Sequence, residues 1–313
     1  MIPLSHCWRS FGGASLPPSE ALDKLRFQAP SLRNLHLQAG GEMTHVEVGD
    51  GVHLHRLDLT CVTIPWDSNR LSDLRSLSLA GLTGSCAPTL SQVVQILISS
   101  PSLEEVALCS LPLVATANDN QALPQYINLP NLISLKLYRI PLNAYKLLLS
   151  LFHFPLPSCN SIRLDSAHAP FGPLEKVFNH CTDGFIEQVT RVARASQFAC
   201  VSFEDRTIEL KMYGCIAEQV CWDTESELYL TLTAGEGDNS FNNMAAQMAE
   251  LVTKALSALP LRIGASERIH QTLEIKLLSR FPSATRIKLP RRNCDGMGIL
   301  QYLGQPCPNT STG

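Results

Sequence analysis

One apolar spacing, repeated five times, constrains the fold of this chain more than any other feature. Each copy has an apolar residue, two further residues, an apolar residue, one further residue and a third apolar residue. The copies are Leu32, Leu35 and Leu37, then Leu54, Leu57 and Leu59, then Leu74, Leu77 and Leu79, then Leu103, Val106 and Leu108, then Leu132, Leu135 and Leu137. A unit this short buries its apolar side only against its neighbours, so the copies predict stacked parallel strands.

The distance between copies indicates the class of repeat. Successive middle residues are 22, 20, 29 and 29 residues apart, and a degenerate copy centred on Ile162 follows after 27 more. Leucine-rich repeats have periods of roughly 20 to 29 residues. We therefore predict an α/β fold, a curved leucine-rich repeat solenoid with parallel strands on the concave face and helices and loops on the convex face.

The same pattern predicts the domain organisation. We expect an irregular N-terminal lead-in or partial cap over 1–28 and a solenoid over 29–304, regular to about residue 165 and divergent afterwards. A disordered tail is expected over 305–313. Alternating runs predict later strands around 208–210, 228–232, 260–263 and 285–289. The gap of 46 residues from Ile162 to Ile208 leaves room for a further repeat, which predicts a strand around 198–203.

Helices are predicted from caps and from helical periodicity. Thr89 is a suitable N-cap for a helix over 90–98, and Asn143 for one over 144–152. Apolar residues at helical spacing predict two further helices, over 241–259 and 266–280. The first of these has few basic residues, which favours packing on the solenoid over a membrane surface.

Composition excludes several classes of function. The formal net charge of -3 argues against nucleic-acid binding, which requires a basic surplus. No apolar run is long enough to span a membrane, and residues 1–18 lack the features of a signal peptide. The eleven cysteines include no C-x-x-C pair, so reduced thiols in a cytoplasmic or nuclear protein are expected.

Motifs for catalysis and for cofactors are also missing from the sequence. It contains no G-x-S-x-G, no P-loop and no G-x-G-x-x-G. The carboxylate pairs Glu204 with Asp205 and Glu225 with Glu227 have no partner that implies acid–base catalysis. His53 and His55 alternate along the chain, but no third ligand is placed by spacing. We therefore predict no enzyme activity, no metal and no cofactor.

The residues between the buried leucines are the candidate binding residues, because successive side chains of a strand point to opposite faces. They mix both charges with hydroxyls and one aromatic ring, which suits a protein ligand, although a solvated strand face is the alternative for any one position. The predicted binding residues are Asn34, His36, Arg56, Asp58, Ser76, Ser78, Glu105, Ser134, Lys136, Tyr138, Arg163 and Asp165.

Four segments resemble the leucine-rich region of fungal F-box-like proteins, particularly those of basidiomycetes. They are VTIPWD at 62–67, RLSDLRSLSLAGL at 70–82, TLSQVVQILISSPSLEEVAL at 89–108 and ILQYL at 299–303. In that family an F-box docks on the adaptor of a cullin-type ubiquitin ligase, and the repeats hold the substrate. The resemblance implies a non-catalytic substrate-recognition protein with an unidentified protein partner.

Two departures from that family qualify the expectation. Leu16, Pro17, Pro18 and Glu20 echo the start of an F-box, but the first repeat begins near Ser31 and leaves too little chain for its helices. Adaptor binding is therefore expected only with an F-box encoded upstream, and the alternative is an autonomous repeat scaffold or a truncated product without a ligase role. The asparagine that usually follows each repeat strand is replaced by the residues Val62, Leu82, Leu111 and Ile140, so we expect irregular turns.

Overall fold

A computed structural model describes residues 9–16, 26–27, 30–40, 43–48, 52–66, 71–113, 126–153, 156, 158–159, 161–165, 183–204, 207–214, 227–233, 261–265 and 284–288. The chain forms two compact units. Unit 1 comprises Met1–Pro170 and Val177–Gln188, and unit 2 comprises Phe171–Lys176 and Val189–Gly313. The helices predicted over 241–259 and 266–280 and the tail predicted over 305–313 lie outside the described residues.

Unit 1 is built on a parallel sheet. Its strands are β1 (Ser10–Leu16), β2 (Arg26–Phe27), β3 (Asn34–Ala39), β4 (Thr44–His45), β5 (Glu47–Val48), β6 (Arg56–Thr60), β7 (Val62–Thr63), β8 (Ser76–Ala80), β9 (Glu105–Cys109), β10 (Ser134–Tyr138) and β11 (Ser161–Asp165). The main sheet has the order β1-β3-β6-β8-β9-β10-β11, with every neighbouring pair parallel. Two-residue pairs join β2 with β5 and β4 with β7. The sequence predicts no strand at β1.

The repeated apolar residues form the core of unit 1, as predicted. All fifteen residues of the five copies are at most 1% exposed. Ile162 and Leu164 of the degenerate copy are buried in the same way. Because each buried leucine contributes about 1.5–3 kcal/mol, this pattern sets which face of every strand turns inward.

Besides a 3-10 helix at Gly84–Cys86, three α-helices lie within the described ranges. They are α1 (Leu90–Ile98), α2 (Leu142–Leu151) and α3 (Asp183–Ala195). The prediction for α1 is confirmed, including its cap, since the Thr89 side chain accepts from the Gln92 amide and the Gln92 side chain accepts from the Thr89 amide. The predicted Asn143 cap is wrong, because α2 begins at Leu142 and Pro141 stands at its N-cap. The sequence predicts no helix at α3.

Unit 2 contains β12 (Phe198–Glu204), β13 (Thr207–Tyr213), β14 (Leu228–Thr233), β15 (Leu261–Ala265) and β16 (Ala284–Lys288). These strands confirm the five positions predicted after the degenerate copy. Their directions differ from a repeat array, because β12 pairs antiparallel with β13, and β13 antiparallel with β14. The other pairs, β12 with β15 and β15 with β16, are parallel. The order is β14-β13-β12-β15-β16.

The predicted fold class is therefore wrong. Over the residues that the structure describes, the chain is not a curved leucine-rich repeat solenoid with helices on a convex face, but a mostly parallel, mixed β structure with three α-helices. One reason is spacing: between the copies that are 22 and 20 residues apart, the described residues form extended segments and the β4–β7 pair but no α-helix. The other reason is the short link of Asp205 and Arg206, because two residues cannot make the crossover that parallel strands require.

The turns after β6, β8, β9 and β10 repeat one backbone conformation, where irregular turns were predicted. The residue after β6, β8, β9 and β10 has a positive φ, of 56° at Cys61, 65° at Gly81, 52° at Ser110 and 52° at Arg139. The amides of Cys61, Gly81 and Ser110 each donate to the carbonyl of the last residue of the next strand. The left-handed residue thus extends the ladder by one hydrogen bond before the chain turns away.

Two buried polar side chains, Ser100 and Gln188, form hydrogen bonds to buried backbone groups, which is the role that the missing asparagines have in leucine-rich repeats. The Ser100 hydroxyl accepts from the Leu74 amide at 3.2 Å and donates to the Leu71 carbonyl at 3.1 Å. Gln188 of α3 accepts from the Leu156 amide at 2.8 Å and donates to the Cys159 carbonyl at 2.6 Å. Both side chains are fully buried, so these bonds satisfy backbone groups that water cannot reach.

Candidate functional site

The predicted binding residues lie on one face of the parallel sheet, which we call the polar face. Its members are the alternate residues of β3, β6, β8, β9, β10 and β11 that the core does not take. The parallel pairing places them in three rows across the strands. The first row is Asn34, Arg56, Ser76, Glu105, Ser134 and Ser161, the second is His36, Asp58, Ser78, Ala107, Lys136 and Arg163, and the third is Gln38, Thr60, Ala80, Cys109, Tyr138 and Asp165.

Solvent exposure separates the polar face from the core face of the same strands. Every side chain of the three rows whose burial the structure describes is half-buried or exposed. The leucines that alternate with them are at most 1% exposed. The polar face therefore remains accessible, and its side chains are available for contacts with another molecule.

Several polar-face residues are oriented by contacts between neighbouring strands. The Nδ1 atom of His36 lies 2.7 Å from Oδ2 of Asp58. The Ser76 hydroxyl donates to Oε2 of Glu105 at 3.0 Å. Both pairs join adjacent strands, so they orient the side chains across the sheet. With side chains of the His36 pair 53% and 41% exposed, water screens the interaction and its stabilising effect stays below about 1 kcal/mol.

The β1 strand adds a residue to this face that the sequence does not predict. Asn34 donates from Nδ2 to the Ser10 hydroxyl at 2.9 Å. Ser10 is exposed and pairs in register with Asn34. The run SFGGASL of β1 offered only weak alternation as a signal, because its two glycines carry no side chain to pack.

The second half of the polar face carries Lys136, Tyr138 and Arg163. Tyr138 is covered by the guanidinium of Arg139, whose Cζ lies 5.0 Å from the ring centroid. Lys136 and Arg163 are register partners on β10 and β11. Asp165 pairs in register with Tyr138, at the end of the third row. A positive region thus borders an aromatic ring on this part of the face.

The pKa of the Cys109 thiol depends on charges of the polar face. Burial raises the pKa of this thiol, the Lys136 charge lowers it, and the Asp58 charge raises it, with a raised pKa as the net result. The thiol is therefore protonated at neutral pH. Its surroundings contain one positive and one negative group of the predicted set, Lys136 and Asp58.

Another row was missed by the sequence, at the edge where the strands begin. The residues immediately before β1, β3, β6, β8 and β9 are Arg9, Arg33, His55, Arg75 and Glu104. Arg75 lies 3.9 Å from Glu104 through Nη1 and Oε1. For Arg33, His55, Arg75 and Glu104 the sequence offered position as a signal, because each immediately precedes the strand of its copy, whereas Arg9 precedes a strand that the sequence did not predict.

Two further side chains, Trp66 and Glu227, take structural roles. Trp66 is 8% exposed and donates from Nε1 to the Cys86 carbonyl at 3.0 Å, so it anchors its loop. Glu227 accepts from the Ser196 hydroxyl at 3.2 Å, a contact that ties β14 to the end of α3. Asp67, Asp205 and Glu225 lie outside the described residues. Where the structure describes the chain, no group of three histidine, cysteine or carboxylate side chains is placed to hold a metal ion.

Unit 2 has one polar cluster of its own. Glu209 accepts at Oε2 from Lys211 at 2.8 Å and from the Ser202 hydroxyl at 3.2 Å, and at Oε1 from the Tyr229 hydroxyl at 2.8 Å. Burial raises the pKa of Glu209, but the bonds from Lys211, Tyr229 and Ser202 and the Lys211 charge outweigh burial and hold it below its usual value. The cluster thus joins side chains of β12, β13 and β14, which gives it a structural role.

Comparison with protein-family models, with curated proteins and with solved structures finds no match to this chain. Among the helices that the structure describes, none has the length and apolar character needed to cross a membrane.

Proposed function

We propose that this chain is a non-catalytic protein-binding protein and that its polar face holds part of a partner protein. One observation carries the proposal: charged, hydroxyl and aromatic side chains stand in register across six neighbouring parallel strands and remain accessible. Burial of the leucine face is sufficient to stabilise the sheet. The polar face is therefore not needed for stability and is available to bind a partner.

The arrangement of charges suits selective recognition of a protein. His36 and Glu105 are held in orientation by Asp58 and Ser76, so less side-chain entropy is lost when a partner binds. Arg56 and Lys136 lie within ion-pair distance of no carboxylate that the structure describes, and they are available for acidic groups of the partner. Opposite charges at defined positions contribute more to specificity and to the rate of encounter than to raw affinity.

We propose in addition that the bound protein is a substrate of a cullin-type ubiquitin ligase, as the resemblance to fungal F-box-like proteins implies. In that role the polar face selects the substrate, and an F-box makes the contact with the adaptor. Co-purification of the full-length gene product with the adaptor tests this part. If the adaptor is not recovered while polar-face partners are, an autonomous scaffold is the correct description.

Affinity capture with a matched pair of variants tests the binding face. The face variant changes Arg56, Asp58, Lys136 and Arg163 to alanine. The control variant changes three charged residues of α3, Glu187, Arg191 and Arg194, to alanine. Circular dichroism and thermal melting first establish that both variants are folded.

We expect the wild-type chain and the control variant to capture the same proteins, and the face variant to lose them. A single captured protein, purified and titrated against each variant, then gives the change in Kd. Equal binding by the face variant and the wild type would refute the proposed site.

A further inference from the structure

The edge at which the strands of unit 1 begin carries a line of basic residues. They are Arg9, Arg33, His55 and Arg75, the residues immediately before β1, β3, β6 and β8, and we call them the basic row. Backbone hydrogen bonds hold the row in line. The Arg9 carbonyl accepts from the amides of Arg33 and Asn34 at 2.8 and 3.0 Å, and the Arg33 carbonyl accepts from those of His55 and Arg56 at 2.6 and 2.9 Å.

The same pairing continues to the last member of the row. The His55 carbonyl accepts from the amides of Arg75 and Ser76 at 2.7 and 3.1 Å. Neighbouring members therefore stand about 4.8 Å apart, the spacing of paired strands. The four positions span about 14 Å, which corresponds to roughly five residues of an extended peptide.

The arginine charges of this row are weakly neutralised within the protein. Within the described part of the chain, the carboxylate nearest to the row is that of Glu104, 3.9 Å from Arg75. The Arg33 guanidinium donates to the backbone carbonyl of His53 at 3.0 Å. Arg9, His55 and Arg75 are exposed, and so is Arg56, which adds a further charge beside the row. Like charges at this spacing repel one another, so an anionic ligand is favoured here.

We propose that the basic row binds a short acidic segment of the partner protein, next to the polar face. The inference rests on the proposed function and names the chemistry of part of the partner. A short segment fits better than a nucleic acid, because the line of residues continues into Glu104, followed by Glu105, and these carboxylates repel a longer phosphate chain. The formal net charge of -3 also disfavours binding of a nucleic acid.

A fluorescent peptide of alternating glutamate and serine, about six residues long, is the probe. A peptide of the same length with lysine in place of glutamate and a single-stranded RNA are the comparison ligands. The edge variant combines Arg9→Gln with Arg75→Gln. The control variant combines Arg191→Gln with Arg194→Gln on α3, so both variants lose two positive charges.

Fluorescence anisotropy at low ionic strength gives the affinities. We expect the acidic peptide to bind the wild type and the control variant equally, to bind the edge variant about fivefold more weakly, and to be released by added salt. The lysine peptide should not bind. Equal weakening in both variants, no binding of the acidic peptide to the wild type, or tighter binding of RNA than of the peptide would each overturn the proposal.

The proteins captured by affinity with the wild-type chain separate this inference from the proposed function, because the edge variant can be tested against them as well. If the face variant loses them and the edge variant retains them at unchanged affinity, the polar face is the binding site and the basic row takes no part. If the edge variant weakens them as well, the partner uses both. If neither the face variant nor the edge variant loses the captured proteins, the proposed function is refuted, whether or not the acidic peptide binds.

Discussion

The Sγ atom of Cys61 lies 2.9 Å from the position that a Cβ atom on Gly81 would occupy. The two residues follow β6 and β8, and both have positive φ. Their contact shows that the turns after neighbouring strands stack closely. It also explains why the second of these turns carries a glycine, since a side chain there would meet both the neighbouring thiol and its own backbone.

Gly81→Ala should destabilise unit 1 by about 2 kcal/mol, because it adds left-handed strain of about 1–2 kcal/mol to the collision with Cys61. The midpoint of the urea transition followed by circular dichroism measures this. Gly40→Ala is the control, since no atom lies within 4 Å of its added Cβ. Cys61→Ala in the Gly81→Ala background should recover part of the loss. Equal stability of the Gly81 and Gly40 variants would contradict the stacking.

Gln188→Met should destabilise the chain by about 2–4 kcal/mol. Methionine has a similar volume, but it leaves the Leu156 amide and the Cys159 carbonyl without the bonds that Gln188 provides, and each buried unsatisfied group costs about 1–3 kcal/mol. The exposed Gln197 offers the same substitution as a control, with an expected change below about 0.5 kcal/mol. Thermal melts of the two variants should therefore separate clearly, and coincident melts would contradict the role of Gln188.

Glu209→Gln should make the stability less dependent on acid pH. The pKa of Glu209 is lower in the folded state than in the unfolded chain, so its carboxylate stabilises the fold above its unfolded pKa, near 4.3. That contribution is lost as the pH falls through the folded pKa. Urea unfolding should show the variant less stable by about 1–2 kcal/mol at pH 7, with a smaller difference at pH 3. A constant difference across this range would show that the charge of Glu209 is not responsible.

The alkylation rate of Cys109 should respond in opposite directions to two polar-face substitutions. Burial raises the pKa of the thiol, Lys136 lowers it and Asp58 raises it, so the thiolate fraction depends on both charges. Lys136→Gln should slow alkylation by iodoacetamide and Asp58→Asn should accelerate it, each by about twofold. Peptide mass spectrometry follows the site at pH 8. Changes of the same sign would show that the accessibility of Cys109, not its electrostatics, controls the rate.

Much of unit 1 was predictable, because its signals are local. Burying Leu35 with Leu37 in one copy and Leu135 with Leu137 in another requires the same alternation, which sets the core face and the strand register. The helix α1 was predictable for a similar reason, since Thr89 and Gln92 form a cap within four residues of chain. The candidate residues of the polar face follow from the same alternation, read on the opposite side of each strand.

Other features depend on contacts that a single segment does not encode. Alternation along β13 is identical for parallel and antiparallel pairing, so only its hydrogen bonds to β12 and β14 decide its direction. The helix α3 could have been predicted from its apolar stripe, which includes Phe185, Val189 and Val192. The role of Gln188 could not, because its side chain bonds to backbone groups some 30 residues away.

The sequence by itself determined which side chains are buried in unit 1 and where most strands lie, because burial of apolar side chains follows from periodicity alone. Only the tertiary structure decided the strand order of unit 2, the left-handed turns from Cys61 to Arg139 and the basic row. Each of these arises where separate segments meet, through hydrogen bonds and charges between residues distant in the chain. The solenoid prediction failed for that reason: periodicity specifies an inward face, but the length and direction of each connection decide what the strands assemble into.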